Sequence, residues 1–345
     1  MLRLGTLIAF VCIVTACGGS GPEPIDRTKT IVRGINYIGV TVSDINAAEA
    51  LYAGGANLKR IDGIAPDDIS ASLENFASQN TLTDVRLMRS VNAQLLFMQF
   101  DEASGVQAVP VEGPGIAHVC YQVAKSTNAY QTFLANGATH IGDPEMVQLN
   151  PSNPVEYAYA RDPDGIVMEI EHVDVDALDL PEPPAHQHRI RQVELSTPDI
   201  NRAVKFYSTL LEEPKPRRAG RFLSFGNEKV DRVSGLEGSK IKMAWFQVRN
   251  LELEIIQFTS HPTDTPETPR PINALGYNII VFEVADIEAA RAKLIDAGGT
   301  LVGDIISTND GRILFGRDPD GNLLGFQTLP MTSALSSQNF ANDGT

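Results

Sequence analysis

The sequence predicts an α+β protein built from four βαβββ modules, which form two domains with curved mixed sheets. Two observations support this prediction: the second half of the chain repeats motifs of the first half in the same order, and each half contains two copies of one strand–helix–strand pattern. A chain of 345 residues is long enough for two domains with a core each. With 43% hydrophobic and 21% charged residues, the composition is typical of a globular protein.

Two motifs carry the repeat most plainly. Residues 161–165 and 317–321 are both Arg-Asp-Pro-Asp-Gly. Residues 44–46 and 199–201 are both Asp-Ile-Asn, and nearly the same number of residues separates the two members of each pair. The chain is therefore predicted to be a tandem duplication.

Each half of the chain divides again into two modules. A module begins with a strand-like run, which in modules 1 and 3 ends at an Asp predicted to cap a helix, and three short alternating runs follow the helix. In modules 2 and 4 the Asp-Pro-Asp-Gly sequence supplies a Pro-fixed φ and a Gly that tolerates positive φ, so a tight turn is predicted before the last strand. The predicted modules are, in order, residues 31–102, 113–174, 188–260 and 273–330.

The two halves of the duplication define the predicted domains, residues 31–174 and 188–330. A Pro-rich linker at 175–187 would separate them, and residues 331–345 are predicted to be a disordered tail. Because a tandem chain already contains the module pairs that smaller relatives obtain by dimerising, we expect a monomer.

The amino terminus resembles the leader of an exported bacterial lipoprotein. Arg3 precedes an apolar run that is too short to span a bilayer, so residues 1–16 are predicted to be a signal peptide. Small residues precede Cys17, as in the lipobox in which the cysteine is acylated, and residues 17–30 would be the lipid-anchored linker. This interpretation predicts anchoring that faces the periplasm or the cell exterior, on either membrane; an ordinary signal peptide cleaved nearby is the alternative.

Charge and cysteine content limit which partners the protein can bind and whether it can form disulfides. A formal net charge of −15 excludes nucleic acid as a partner and gives no electrostatic reason to bind anionic lipid, so membrane contact is expected through the N-terminal lipid only. Cys12 and Cys17 lie in the leader region, which leaves Cys120 as the one other thiol. The folded part can form no internal disulfide, and Cys120 is expected to be a buried core thiol.

The βαβββ order, together with the Arg-Asp-Pro-Asp-Gly turn, resembles the vicinal oxygen chelate superfamily, which includes glyoxalase I and the extradiol dioxygenases. The resemblance covers residues 31–330 and implies a fold more specifically than a reaction. In that superfamily each module offers one metal-ligand position in its first strand and one in its last. Two paired modules can thus place up to four side chains around one divalent ion.

The resemblance implies that modules 2 and 3 keep polar residues at these positions and that modules 1 and 4 have none. The implied metal ligands are His118, Glu169, Gln192 and Glu254. The corresponding residues of the outer modules are Tyr37, Leu96, Ile279 and Gly325. Glu171 and Glu252 remain alternatives, because residues two apart in a strand face the same way. Five histidines are expected on the surface or in linkers: His140, His172, His186, His188 and His261.

Two module pairings are possible. If modules pair within each half, each of two sites has two ligands and two blank positions. If module 2 pairs with module 3, and module 1 with module 4, one site is complete and the other is blank. We favour the second pairing, which glyoxalase I also uses, because a complete set is not expected to survive by chance.

A Gln/Glu/His/Glu set suits Zn²⁺, Ni²⁺, Co²⁺ or Mn²⁺ with room for substrate oxygens. By resemblance to glyoxalase I, Glu169 would be the catalytic base and Glu254 its opposite partner, in a metal-dependent lyase or isomerase acting on a small vicinal-oxygen substrate. A dioxygenase is less expected, since its iron site needs two histidines. The alternative function is non-catalytic binding of a small molecule, in which Tyr37, Leu96, Ile279 and Gly325 would line a second, apolar pocket.

Overall fold

The computed structural model describes residues 25–64, 72–73, 76, 80–102, 104–178 and 186–341. The predicted signal peptide, Cys17 and residues 179–185 of the predicted linker lie outside these ranges. Within the described part, no helix is both long and apolar enough to cross a bilayer.

Every module has the predicted βαβββ order, and among the elements whose bounds the structure describes in full, module 3 has one additional α-helix. Module 1 contains β1 (Val32–Thr41), α1 (Ile45–Ala56), β2 (Lys59–Ile61), β3 (Leu82–Arg89) and β4 (Gln94–Phe100). Module 2 contains β5 (Gly115–Ala124), α2 (Ala129–Ala135), β6 (Thr139–Ile141), β7 (Val155–Arg161) and β8 (Val167–Val173). Module 3 contains β9 (His188–Ser196), α3 (Ile200–Leu210), β10 (Arg217–Ala219), α4 (Glu228–Ser234), β11 (Ile241–Val248) and β12 (Leu251–Phe258). Module 4 contains β13 (Gly276–Val284), α5 (Ile287–Ala297), β14 (Thr300–Thr308), β15 (Gly311–Arg317) and β16 (Leu323–Thr328).

The strands form two eight-stranded sheets, each built from two modules. Sheet 1/4 has the order β14-β15-β16-β13-β1-β4-β3-β2, and sheet 2/3 has the order β10-β11-β12-β9-β5-β8-β7-β6. The first strands of the two modules meet antiparallel at the centre of each sheet. This is the pairing of module 2 with module 3 favoured above. Each sheet therefore combines modules from both sequence halves, 31–174 and 188–330. The division of the chain into two domains at these bounds stays a prediction.

The helices begin where the sequence predicts. Asp44 accepts hydrogen bonds from the backbone N–H groups of Asn46 and Ala47 at the start of α1. Asp199 accepts the equivalent bonds from Asn201 and Arg202 at the start of α3. Each aspartate satisfies two N–H groups that have no partner inside the helix, so the Asp-Ile-Asn repeat is a pair of helix caps.

The main hydrophobic core lies on the helix side of both sheets. Helix α1 packs against α2, and α3 packs against α5, so each contact joins a helix of one sheet to a helix of the other. Alternate residues of the central strands, such as Val119 and Val193, point into this core. The residues between them point to the opposite face, which we call the inner face of each sheet.

The two Arg-Asp-Pro-Asp-Gly turns join the modules of different sheets. One oxygen of Asp162 accepts the N–H groups of Asp164 and Ile166 within the turn, and the other accepts the Tyr52 hydroxyl of α1 at 3.0 Å. Asp318 binds Tyr207 of α3 in the same way at 2.9 Å. Burial raises the pKa of Asp162 to about 7, and in the other turn burial raises that of Asp318 to about 6.

Both ends of the described chain are more firmly packed than predicted. Arg27, within the predicted linker 17–30, is buried and donates to the carbonyls of Leu211 and Gln247 and to Glu213. In the predicted disordered tail, residues 336–338 donate to the buried carboxylate of Glu283. A buried carboxylate needs such donors, which explains why residues 335–337 are buried where the sequence suggested disorder.

Candidate metal centre

The inner face of sheet 2/3 brings all four implied ligands together. His118 comes from β5, Glu169 from β8, Gln192 from β9 and Glu254 from β12, and these are the four central strands of the sheet. Their side chains converge because of the strand register. Cys120 pairs with both Glu169 and Gln192, and Glu194 of β9 pairs with both His118 and Glu254. All four residues are buried, at 1–6% exposed.

The distances among the four side chains are short enough for one ion. His118 Nε2 lies 3.3 Å from Glu169 Oε2 and 3.9 Å from Glu254 Oε2. Ligand atoms of these three residues lie within 4.8 Å of one another. The Gln192 amide donates to Glu169 Oε2 at 3.0 Å and also to Glu254 Oε2, so it holds the two carboxylates side by side.

The donor set fits a divalent cation. Gln192 Oε1 is buried and has no hydrogen-bond partner among the described residues. Two carboxylates and an imidazole also face one another in a space from which water is largely excluded, and such a cluster normally requires a compensating positive charge. The set combines nitrogen with carboxylate oxygen, which is suited to Zn²⁺, Ni²⁺, Co²⁺ or Mn²⁺.

The two carboxylates differ in their affinity for protons. At Glu169 burial acts to raise the pKa, but His118 and Arg191 outweigh it and the net pKa is lowered. At Glu254 burial and the nearby charge of Glu169 both act in the same direction, and the pKa is raised well above 4.5. Glu169 therefore gives up its proton more readily than Glu254.

Glu194 belongs to the same cluster and was missed in the sequence. It is fully buried on β9, and its Oε2 lies 3.5 Å from His118 Nδ1. Its Oε1 accepts the Ser196 hydroxyl at 2.9 Å. A carboxylate at Nδ1 favours the tautomer that leaves Nε2 free to bind a metal. The signal was present, since Gln192, Glu194 and Ser196 alternate along one strand face.

Arg191 reaches the inner face through a break in the strand alternation. The register shifts between Cys120/Gln192 and Tyr121/Ile190, so residue 191 is an extra residue on β9. Arg191 therefore faces the same side as Gln192 and forms ion pairs with Glu171 and Glu252. These two glutamates, the register alternatives considered above, lie beside Arg191, while Glu169 and Glu254 lie beside His118.

The expectation that Cys120 is a buried core thiol is confirmed, whereas one histidine expectation needs correction. Cys120 lies on the inner face close to Glu169 and Glu171, and burial raises its pKa. His172, expected at the surface, is only 3% exposed, and its Nε2 accepts the backbone N–H of Tyr130 at 3.2 Å. Burial lowers the pKa of His172 to about 4. His172 is buried because it lies within β8, every residue of which is buried, and the residue type alone does not predict this.

The equivalent positions of sheet 1/4 are filled by apolar packing. Tyr37, Leu96 and Ile279 belong to one buried hydrophobic cluster on the inner face. At Gly325 an added Cβ would lie 2.9 Å from Val281 Cγ2, so no larger side chain fits without movement. A cavity of about 90 Å³ lies nearby, lined in part by Tyr37, Ile313 and Gln327. That volume is small for an organic ligand.

Comparisons with known proteins match part of the chain to one family model and most of it to one fold. Residues 189–326 match the model of the Glyoxalase/Bleomycin resistance protein/Dioxygenase superfamily. The chain is similar to the structure of glyoxalase I from Zea mays, with a TM-score of 0.56, 17% identity, and coverage of 86% of this chain and 92% of that chain. A putative dioxygenase from Bacillus subtilis gives a TM-score of 0.55 and 12% identity over 90% of each chain. No curated protein matches the chain. At these identities the solved structures establish the fold alone.

Proposed function

We propose that this protein is a divalent-metal-dependent lyase or isomerase, because residues 189–326 match the model of the glyoxalase, bleomycin resistance protein and dioxygenase superfamily and the described chain has the fold of glyoxalase I. The single observation that supports it most is the convergence of His118, Glu169, Gln192 and Glu254 on the inner face of sheet 2/3. The substrate is a small molecule with two vicinal oxygens.

Four side chains would hold the ion: the imidazole of His118, the amide oxygen of Gln192, and the carboxylates of Glu169 and Glu254. A bound divalent ion supplies positive charge that polarises substrate oxygens. Glu194 Oε2 lies 3.5 Å from His118 Nδ1 and would orient the ring from the opposite side. Tyr159, whose ring centroid lies 5.0 Å from that of His118, limits the movement of the imidazole.

Proton transfer is assigned to the two glutamates. Glu169 has the lowered pKa and accepts a proton from a carbon next to a carbonyl group, while Glu254 has the raised pKa and can return a proton on the opposite side. Two carboxylates whose pKa values are pushed apart suit such a division of roles. The product would be an isomerised hydroxy-carbonyl compound.

Metal analysis of the purified protein tests this proposal. We expect about one divalent ion per chain, lost on His118→Ala in module 2 and on Glu254→Ala in module 3 alike. Ile279→Val, at the equivalent of His118 in sheet 1/4, is the matched control and should keep the ion. Protein that takes up no metal, or that loses it only with the module 2 variant, would contradict the shared site; a metal-free protein that still binds small molecules would favour non-catalytic binding.

Export and lipidation remain part of the proposal. The sequence around Cys17 supports a lipid-anchored protein that faces the periplasm or cell exterior. Growth with labelled palmitate should label the protein and place it in the membrane fraction, and Cys17→Ser should abolish both. Unlabelled protein in the membrane fraction would contradict acylation at Cys17.

A further inference from the structure

Two adjacent apolar side chains project into water from sheet 2/3. Phe222 is 86% exposed and Leu223 is 84% exposed. Val106, Ile295 and Met331, the other exposed large apolar residues of the described chain, are separate from one another and from this pair in the sequence. An adjacent exposed Phe-Leu pair costs solubility and is typical of an interaction site.

The pair lies in a locally basic segment, residues 214–226, which we call the basic loop. It contains Lys215, Arg217, Arg218 and Arg221 and no acidic residue, although the whole chain carries a net charge of −15. Arg217 is paired with Glu252, and Arg218 donates to Asn201. Lys215 and Arg221 are exposed, with no ion pair to another described residue, and Arg221 lies over the Phe222 ring at 5.5 Å.

Local charge, and not total charge, governs a contact at this loop. At physiological ionic strength charges are screened beyond about 8 Å, so the acidic residues on distant faces contribute little. The negative charge of the whole chain predicted no attraction to anionic lipid. The basic loop, however, carries positive charge next to the exposed apolar side chains. Apolar side chains flanked by Lys and Arg are the composition that binds an anionic membrane interface.

The loop is held at both ends by the edge of sheet 2/3. Arg217–Ala219 of β10 pairs with β11, and Phe225 forms a β-bridge with Ile241. Gly220 has φ +68 at the start of the reversal, where an added Cβ would lie 3.0 Å from the Ile241 carbonyl oxygen. The fold therefore presents Phe222 and Leu223 at a fixed tip.

The start of the described chain lies beside this loop. Arg27 donates to the Leu211 carbonyl and to Glu213, and the Ile31 N–H donates to Glu212. These contacts fix residues 27–31 to the segment just before the basic loop. Ile25 follows Cys17 after seven intervening residues, so the two lie at most about 28 Å apart. A lipid on Cys17 would hold this side of module 3 near the membrane.

We propose that the basic loop binds an anionic phospholipid surface, with Phe222 and Leu223 entering the interface and Lys215 and Arg221 contacting headgroup phosphates. The contact adds to the predicted lipid anchor and sets the orientation of sheet 2/3 above the bilayer. It does not depend on the metal centre or on acylation, so it can be tested separately from both.

A local fluorescent reporter tests the proposal in the full chain with Cys17→Ser. Trp245 is the single tryptophan, so Trp245→Phe combined with Phe222→Trp places one reporter at the loop tip. We expect a blue shift with phosphatidylcholine vesicles that contain phosphatidylglycerol, and quenching when their acyl chains are brominated. Lys215→Glu with Arg221→Glu should weaken this binding at least about tenfold.

The control reporter is Ile295→Trp in the same background, since Ile295 is 54% exposed on α5 of module 4. It should show no shift under the same conditions, and circular dichroism should confirm that every variant is folded. An unchanged emission of Phe222→Trp overturns the proposal, as does an equal shift of both reporters. A shift that grows with protein concentration without vesicles would indicate a second copy of the chain as the partner, and would also overturn it.

Discussion

Sheet 2/3 and sheet 1/4 have corresponding strand orders, but the inner face of sheet 2/3 carries polar side chains and that of sheet 1/4 carries apolar ones. At corresponding positions sheet 2/3 has His118, Glu169, Gln192 and Glu254, whereas sheet 1/4 has Tyr37, Leu96, Ile279 and Gly325. Both sets are buried. The apolar set stabilises its sheet by packing, while the polar set places carboxylates where they are costly to ionise. The fold therefore does not need the polar set, and its presence indicates a function.

Introducing a carboxylate into sheet 1/4 should give the largest effect. Leu96→Glu places at the counterpart of Glu254 a charge with no imidazole, amide or guanidinium beside it. We expect a loss of about 3–5 kcal/mol in the free energy of unfolding, measured by urea denaturation. Leu96→Met is the matched control and should cost less than about 1.5 kcal/mol. If Leu96→Glu were as stable as the control, the inner face of sheet 1/4 would have to be far more polar than its apolar cluster implies.

Removing the charge next to His118 should weaken the metal centre without emptying it. Glu194→Gln leaves the side-chain shape intact but loses the carboxylate at His118 Nδ1, so metal affinity should fall about 10–100-fold. Competition titration with a chelating dye measures this directly. Glu283→Gln makes the same change at a buried glutamate of sheet 1/4 and should leave the affinity unchanged. Equal affinity of Glu194→Gln and the native protein would show that Glu194 does not orient the ring.

The stability of metal-free protein should depend on pH through Glu254 and Glu194, whose pKa values are raised by burial. A raised pKa in the folded state means that stability is complete below the ordinary value of 4.5 and is lost as the pH rises through the folded pKa. As the pH rises above 4.5, Glu254→Gln should lose less stability than the native protein, because the glutamine has no proton to lose. Urea denaturation at several pH values checks this. A native stability that rises more steeply than that of the variant would reverse the sign and refute the assignment.

The two Arg-Asp-Pro-Asp-Gly turns should behave alike, because their contacts do not depend on the inner faces. Tyr52→Phe and Tyr207→Phe each remove one buried hydrogen bond to an aspartate, Asp162 or Asp318. Each should cost about 1–2 kcal/mol by thermal denaturation, with no change in metal content. A large effect of one substitution and none of the other would show that the turns are not equivalent.

The repeat made the fold predictable from sequence, and the unequal distribution of polar residues made the module pairing predictable. Arg191 could not be placed, because a strand bulge changes the side to which it points and no local residue type announces it. Glu194 was overlooked because the family positions directed attention to Gln192, two residues earlier. The polarity of residues 336–338 predicts a solvent-exposed tail. In the structure, however, N–H groups of residues 337 and 338 donate to the carboxylate of Glu283, a residue distant in sequence.

The module pairing also sets an order for synthesis and folding. All strands of sheet 2/3 lie between residues 115 and 258, so that sheet has its complete sequence before module 4 is made. Strand β1 has to wait for β13, at Gly276–Val284, and its edge stays unpaired until then. A chain that stops between the two points would have a finished metal centre and an open, aggregation-prone strand edge. Sheet 1/4, which has no candidate metal ligands at these positions, is thus the last sheet whose strands are all available for pairing.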